Sequence, residues 1–413
     1  MGHPLTQVSA TEIIKILKDH GYVAYFAGGW VRDFLLDIPN DDIDIATDAL
    51  PKEVHKIFPE SILVGAHFGV VVVRYRGHHF EVTTFRSDIR YEDGRRPTHV
   101  LLKASLEEDA QRRDFTINGM FFDPLTNSVI DIVGGKDDLA KKCIRTIGNP
   151  EERFGEDKLR MIRAVRFAER FGFSIEEATR AAICAMAPKL LPAVSMERVW
   201  QEFEKMRKGK DFIDALLQMH DLKLLGTIFP PLAAVSRKEL EKRLQGLDGA
   251  SKHVPCILFL LHLFADSDRS FYEKLHYYLK TSIEQGRWIE SWLTIKELLY
   301  KPNTLELKYE WAKAFADKRC DACLEVLLAN MSKQGSLQLE LERLRQDLFF
   351  HIEKFRTKSH LLRAHDLVKE GIEPSENMGK LLEESSRLAV VHDIRDPQEL
   401  LQKLKASPLW GVP

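Results

Sequence analysis

The stretch Gly28-Gly29-Trp30-Val31-Arg32-Asp33, followed nine residues later by Asp42-Ile43-Asp44, concentrates more chemistry than any other part of this chain. On a strand, the side-chain period of two sends Asp42 and Asp44 from one face and Ile43 towards a core. Two acids placed side by side repel, and a divalent cation between them is the usual remedy. Upstream, an apolar run ends at Phe26-Ala27, a glycine pair turns the chain, and 31–36 reads as a helix start. Such a turn offers backbone N–H groups, a positive helix end and the Arg32 guanidinium to an anion. Asp-x-Asp and Gly-Gly are each common in surface turns. In this order they read as a grip for a nucleoside triphosphate and its metal ions, with Gly28, Gly29 and Arg32 on the nucleotide. Glu81, in a strand-like run, could supply a third carboxylate; a solvent-facing edge-strand glutamate fits the spacing equally well.

Three later segments add to this set. In Arg112-Arg113-Asp114-Phe115-Thr116-Ile117-Asn118, adjacent arginines entering an apolar turn suggest phosphate contact, while Asp114 can orient them or cap a helix. In Glu156-Asp157-Lys158-Leu159-Arg160, continuing to Arg163, an uninterrupted helix would place Glu156, Arg160 and Arg163 within roughly 60° of one another. Asp157 and Arg160 would then meet as i, i+3 neighbours. A carboxylate can accept from an exocyclic amine while an adjacent guanidinium donates to a ring nitrogen. Cytosine and adenine share that edge, whereas uracil and guanine lack it, so the pair could select C and A. Ser195-Met196-Glu197-Arg198, after Pro192, reads as a capped helix start at a structural junction.

The elements needed to hold these residues are legible around them. Strand-like runs fall at 23–27, 42–47, 70–75, 79–85 and 129–133, and 11–20 carries a helical apolar stripe on Ile13, Ile16 and Leu17. Residues 1–140 therefore read as an α/β unit. Beyond 141 strand signals disappear, and helical stretches punctuated at Pro150, Pro192, Pro230-Pro231, Pro302 and Pro374 continue onwards. The 413 residues, 44% of them hydrophobic, suffice for several packed domains. A net charge of −2 excludes a globally basic nucleic-acid binder. Locally, however, 141–170 holds nine Lys/Arg against five Asp/Glu, and 343–363 six against two. Such surfaces suit a phosphate backbone, although charge alone fits solvated helix faces better. Of five cysteines, only Cys320 and Cys323 form a C-x-x-C pair, so all are expected to be reduced thiols of a cytoplasmic protein. The longest apolar run, 254–265, is short and broken by Pro255 and His262, so no membrane is expected as a partner.

Taken in order from Gly28 to Glu202, these motifs resemble those of class II tRNA nucleotidyltransferases, the CCA-adding enzymes and bacterial poly(A) polymerases of the polymerase-β superfamily. Segments near the end, His365-Asp366-Leu367-Val368 and 371–382, resemble the same family's tail. The resemblance implies an α/β nucleotidyltransferase head over 1–140, a polymerase-β-like mixed sheet with helices. An extended all-α neck (141–214), body (215–340) and tail (341–413) would follow. It implies template-independent addition of CCA to tRNA 3′ ends from CTP and ATP, with no obligate protein partner. Asp42 and Asp44 would bind two Mg²⁺ ions, with Glu81 as a further catalytic candidate. Nucleotide contacts would come from Gly28, Gly29, Arg32, Arg113, Glu156, Asp157, Arg160, Arg163 and Arg166. An ideal helix places Arg166 opposite Asp157, which directs it to phosphate or RNA instead of the base. Gly65-Ala66-His67-Phe68 lacks the basic pair that poly(A) polymerases tend to carry there, and Phe68 precedes Gly69 where CCA-adding relatives often have His. A loop-like stretch at 86–97 disfavours CC-only addition. A-only addition is the nearest alternative, followed by poly(A) synthesis and a catalytically silent RNA-binding protein on the same scaffold.

Overall fold

Short β-branched and aromatic runs build one seven-stranded sheet in the first part of the chain. Its strands are β1 (Ala24–Ala27), β2 (Asp44–Thr47), β3 (Ile62–Gly65), β4 (Val70–Tyr75) and β5 (His78–Thr84), with two more after a separate pair, β6 (Arg86–Arg90) and β7 (His99–Leu102). β8 (Phe121–Asp123) and β9 (Ser128–Ile130) complete it, in the order β3-β4-β5-β2-β1-β8-β9. Only β2 and β5 pair in parallel; the other neighbours are antiparallel. The computed structural model describes every residue except 1–3, 91–98, 210, 248, 251–252, 265–266, 302–303, 330, 332–333 and 411–413. It divides into two units, Met1–Arg237 and Lys238–Pro413.

In the first unit, α1 (Pro4–Asp19) buries Ile13, Ile14 and Leu17, and Val71, Val73, Phe80 and Val82 point into the same core. The helices α2 (Gly29–Leu35), α3 (Pro51–Ile57), α4 (Leu106–Gln111) and α5 (Gly135–Ala140) accompany the sheet. Helices dominate thereafter: α6 (Pro150–Glu156), α7 (Leu159–Phe171), α8 (Glu177–Met186), α9 (Met196–Arg207) and α10 (Phe212–Asp221). Strand structure does not vanish after 141 as the sequence suggests. Cys143–Ile144 and Ser174–Ile175 form a parallel two-residue pair, too short to leave a periodic signal. The expected loop at 86–97 begins as strand β6, and 91–98 lie outside the described residues.

The second unit is helical, from Arg237–Leu244 to Pro397–Lys405. Cys256–Leu263 is buried on every side, and Tyr272, Trp292 and Phe315 are fully buried. Leu362, Leu367, Leu381, Leu388 and Leu404 form a further cluster. All five cysteines are free thiols; desolvation pushes that of buried Cys320 up to about 12. No helix among the described residues is long and apolar enough to cross a membrane.

Glu169, on α7, faces the start of α10. Desolvation and then the Asp214 and Asp211 carboxylates push its pKa up to about 7 from the ordinary 4.5. The folded protein therefore keeps a proton that the unfolded chain releases across that window, and stability falls as pH rises through it. Glu169→Gln is expected to melt about 1–3 °C above the parent at pH 8 and to coincide with it near pH 4.5. Thermal melts across pH check this.

Candidate active site

Strand register brings the functional groups together. Antiparallel pairing sets Ala27 opposite Asp44, so the glycine turn leaving β1 starts beside the carboxylate that opens β2. Parallel pairing of Ile45 with Val82 brings Glu81, one residue earlier on β5, alongside Asp44. Asp42 precedes the strand, but the alternation survives: Asp42 and Asp44 are exposed and Ile43 is buried. Gly28 has φ +68°, a backbone conformation that favours glycine, and a Cβ there would lie 2.9 Å from Arg113 Nη1 and displace that guanidinium. Desolvation, then repulsion from Asp42 and Glu81, raise the Asp44 pKa to about 6, with Arg113 opposing.

Facing this pair is a cleft of about 650 Å³ whose lining includes eight arginines and five aspartates. Buried carboxylates organise the arginines. Asp109 accepts from Arg112 Nε at 2.8 Å and Arg113 Nη2 at 2.9 Å. Burial works against its charge, but the two guanidiniums hold its pKa below the usual range. Asp114 accepts from Asn118 Nδ2 at 3.0 Å and Arg163 Nε at 2.9 Å. It thus orients an arginine 49 residues away and not its neighbours in sequence. Arg32 donates to Asp33 at 2.8 Å and to Asn118 at 2.5 Å, and Arg166 donates to Glu202 at 2.6 Å. The ring of Phe167 gathers three guanidiniums, with Arg32 and Arg163 both 5.2 Å and Arg166 4.1 Å from its centroid.

The helix expected through 156–166 is broken. α6 ends at Glu156, Asp157 is extended, and α7 begins at Leu159. Asp157 Oδ1 accepts the N–H of Leu159 at 3.0 Å, a local bond that competes with helix continuation. The break puts Asp157 outside α7 and Arg160 within its first turn. Asp157 Oδ2 accepts from Arg198 Nη2 at 3.0 Å, and Arg160 donates to Glu156 at 2.7 Å and to the Arg112 carbonyl at 2.9 Å. Asp157, Arg160, Arg163 and Arg166 nonetheless line one cleft with Gly28, Gly29, Arg32, Asp42, Asp44 and Arg113. Glu81 and Glu156 are not in that lining. Among the described residues no group of three or more His, Cys, Asp or Glu side chains is arranged to hold a metal. Two carboxylates that repel each other, with other ligands left to phosphate and water, suit a Mg²⁺-type cation.

Residues 24–145 match the family described as the poly A polymerase head domain, and 172–235 match the probable RNA and SrmB-binding site of polymerase A. The CCA-adding enzyme of Bacillus cytotoxicus is 47% identical over 215 residues, which are 52% of this chain and 54% of that protein. In such alignments the chain spans about half the length of the curated relatives it matches. That of Bacillus licheniformis is 38% identical over 311 residues, 73% of each chain. The solved structure of the Bacillus stearothermophilus CCA-adding enzyme in complex with CTP superposes with a TM-score of 0.76 at 32% identity, covering 97% of this chain and 98% of that one.

The chain belongs to the CCA-adding enzyme family.

Seen as a CCA-adding enzyme fold, the cleft draws on residues the sequence alone left unassigned. Asp109 lies outside every motif, although its i+3 and i+4 spacing to Arg112 and Arg113 was the available signal. Ser195 occupies the N-cap of α9 as expected, but its hydroxyl makes no capping bond. Arg198, two residues into that helix beyond Met196, instead reaches the cleft. Its Nη1 is buried without a hydrogen-bond partner among the described residues, leaving a donor for a ligand.

Removing the charge at Asp114 leaves Arg163 without its carboxylate. Asp114→Asn is expected to lower stability to denaturant by about 2 kcal/mol at pH 7. Arg163 and Asn118 hold the Asp114 carboxyl far below its ordinary 3.8 despite burial, so the native charge contributes fully above that value. The deficit should shrink as pH falls below about 4, which urea titrations at several pH values measure.

Proposed function

We propose that this chain is a template-independent tRNA nucleotidyltransferase that adds CCA to tRNA 3′ ends from CTP and ATP, releasing pyrophosphate. The observation that carries this reading is one cleft in which a repelling Asp42–Asp44 pair faces eight arginines, Arg160 among them, and the Asp157 side chain. In this reading Asp42 and Asp44 hold divalent cations, Mg²⁺ by preference. Held there, such a cation would supply Lewis acidity that lowers the pKa of the 3′-hydroxyl and offsets charge on the α-phosphate. Glu81, behind Asp44, adds negative potential to the same site.

The chain's own residues do the rest. Arg32 and Arg113, beside the glycine turn, bind the polyphosphate and orient its α-phosphate for in-line attack. Arg163 and Arg166, held by Asp114 and Glu202, supply further positive charge along the nucleotide. Asp157 accepts from the exocyclic amine of C or A while Arg160 donates to the adjacent ring nitrogen. Arg198 steadies Asp157, and Glu156 steadies Arg160. In this reading residues 1–140 are the head, 141–214 the neck that reads the base, 215–340 the body and 341–413 the tRNA-binding tail of a cytoplasmic enzyme without an obligate protein partner.

The deciding experiment uses tRNA transcripts ending at the discriminator base, after one C, and after CC, each incubated with Mg²⁺ and CTP, ATP or both. Growth by CCA on the first transcript is expected. Addition of A to the CC-ended transcript alone would make this an A-adding enzyme, and long A tracts a poly(A) polymerase. Asp42→Ala should reduce incorporation by about 10³-fold or more while tRNA affinity in a filter-binding assay changes less than about twofold. Asp157→Ala and Arg160→Ala should let UTP compete with CTP; continued exclusion of UTP would refute the assigned base readers.

A further inference from the structure

A continuous run of hydrogen bonds crosses the floor of the cleft. The N–H of Asp42 donates to Asn40 Oδ1 at 2.9 Å, and Asn40 Nδ2 donates to Asp33 Oδ2 at 2.9 Å. Asp33 Oδ1 accepts from Arg32 Nε at 2.8 Å, and Arg32 Nη1 donates to Asn118 Oδ1 at 2.5 Å. Asn118 Nδ2 donates to Asp114 Oδ1 at 3.0 Å, and Asp114 Oδ2 accepts from Arg163 Nε at 2.9 Å. One end fixes the backbone of a carboxylate proposed to bind metal, and the other fixes a guanidinium on the nucleotide side.

We propose that Asn40 and Asn118 are positioning residues that tie the carboxylate pair to the nucleotide-binding arginines, so that metal affinity and base selection are set together. This rests on the nucleotidyltransferase reading of the cleft. Both asparagines use the carbonyl as acceptor and the NH₂ as donor, a two-ended role that a carboxylate or a hydrocarbon cannot fill. The middle of the run is out of water: Asp33 is 0%, Arg32 3%, Asn118 7% and Asp114 9% exposed. In such surroundings an unmade bond is costly, so loss of one link shifts the next instead of being absorbed by solvent. A second contact ties the middle of the run to its far end. Arg32 and Arg163 both lie against the Phe167 ring, so displacing one guanidinium alters the seat of the other.

The test compares the full-length protein with Asn40→Ala, Asn118→Ala and the double variant. Readouts are Mn²⁺ affinity by calorimetry, kcat and KM for CTP and ATP on tRNA, and the ratio of UTP to CTP incorporated. The signature is crossed. Asn118→Ala, which touches neither metal carboxylate, should weaken Mn²⁺ binding about fivefold, and Asn40→Ala, on the carboxylate side, should raise the UTP:CTP ratio about fivefold. The double variant should be little worse than the poorer single variant, because one run is broken either way. Asn118→Asp retains the acceptor for Arg32, and Asn40→Asp the acceptor for Asp42. Each replaces its donor with a carboxylate oxygen facing another acid, Asp114 and Asp33 respectively, and serves if the alanine variant does not fold. Effects confined to the local end, or a fully additive double variant, would overturn the proposal. A parent protein that binds Mn²⁺ but extends no tRNA would overturn the nucleotidyltransferase reading alone. The Mn²⁺ affinity of the Asn118 variants would still decide the coupling.

Discussion

Eight guanidiniums around one cleft repel one another, and the site exists because buried carboxylates hold them apart. Asp33, Asp109, Asp114 and Glu202 are each almost inaccessible to water, and each accepts from at least one cleft arginine. Their desolvation is offset only by those charge-assisted bonds, so acid and arginine are stable together and unstable apart. The scaffold presents positive charge already aimed, so an anion entering it would not have to reorganise long, flexible side chains.

The carboxylate pair follows the opposite logic. Asp42 and Asp44 have no carboxylate hydrogen bond or ion pair among the described residues, and the Asp44 pKa is raised where that of Asp114 is depressed. Within one cleft, then, some acids are paired by the protein's own cations, and Asp42 and Asp44 are not so paired among the described residues. That division separates structural acids from candidate catalytic ones more sharply than any motif, and it places the ends of the hydrogen-bonded run through Asn40 and Asn118 at two chemically different subsites.

Several elements were readable because local physics governs them. The β-branched 70–75 run became β4 unchanged, and the Ile13 and Leu17 stripe became the buried face of α1. The glycine turn stands where expected, since Gly28 adopts a conformation that disfavours any side chain. Other features were not readable. The break at Asp157 goes with a side-chain bond to Leu159, and the strand pair of Cys143–Ile144 with Ser174–Ile175 joins partners 31 residues apart. Periodicity over a window of residues averages both away.

The chain's own order of residue types determined what the turn and strand would carry: two acids one residue apart, a glycine turn, and an arginine-rich set of motifs. These are properties of near neighbours, and strand and turn geometry convert spacing directly into position. Tertiary structure alone decided the pairings, namely Asp114 with Arg163, Asp157 with Arg198, and Arg166 with Glu202. A buried ion chooses its partner by distance and desolvation in the folded core, and nothing in linear spacing encodes which distant residue will be there.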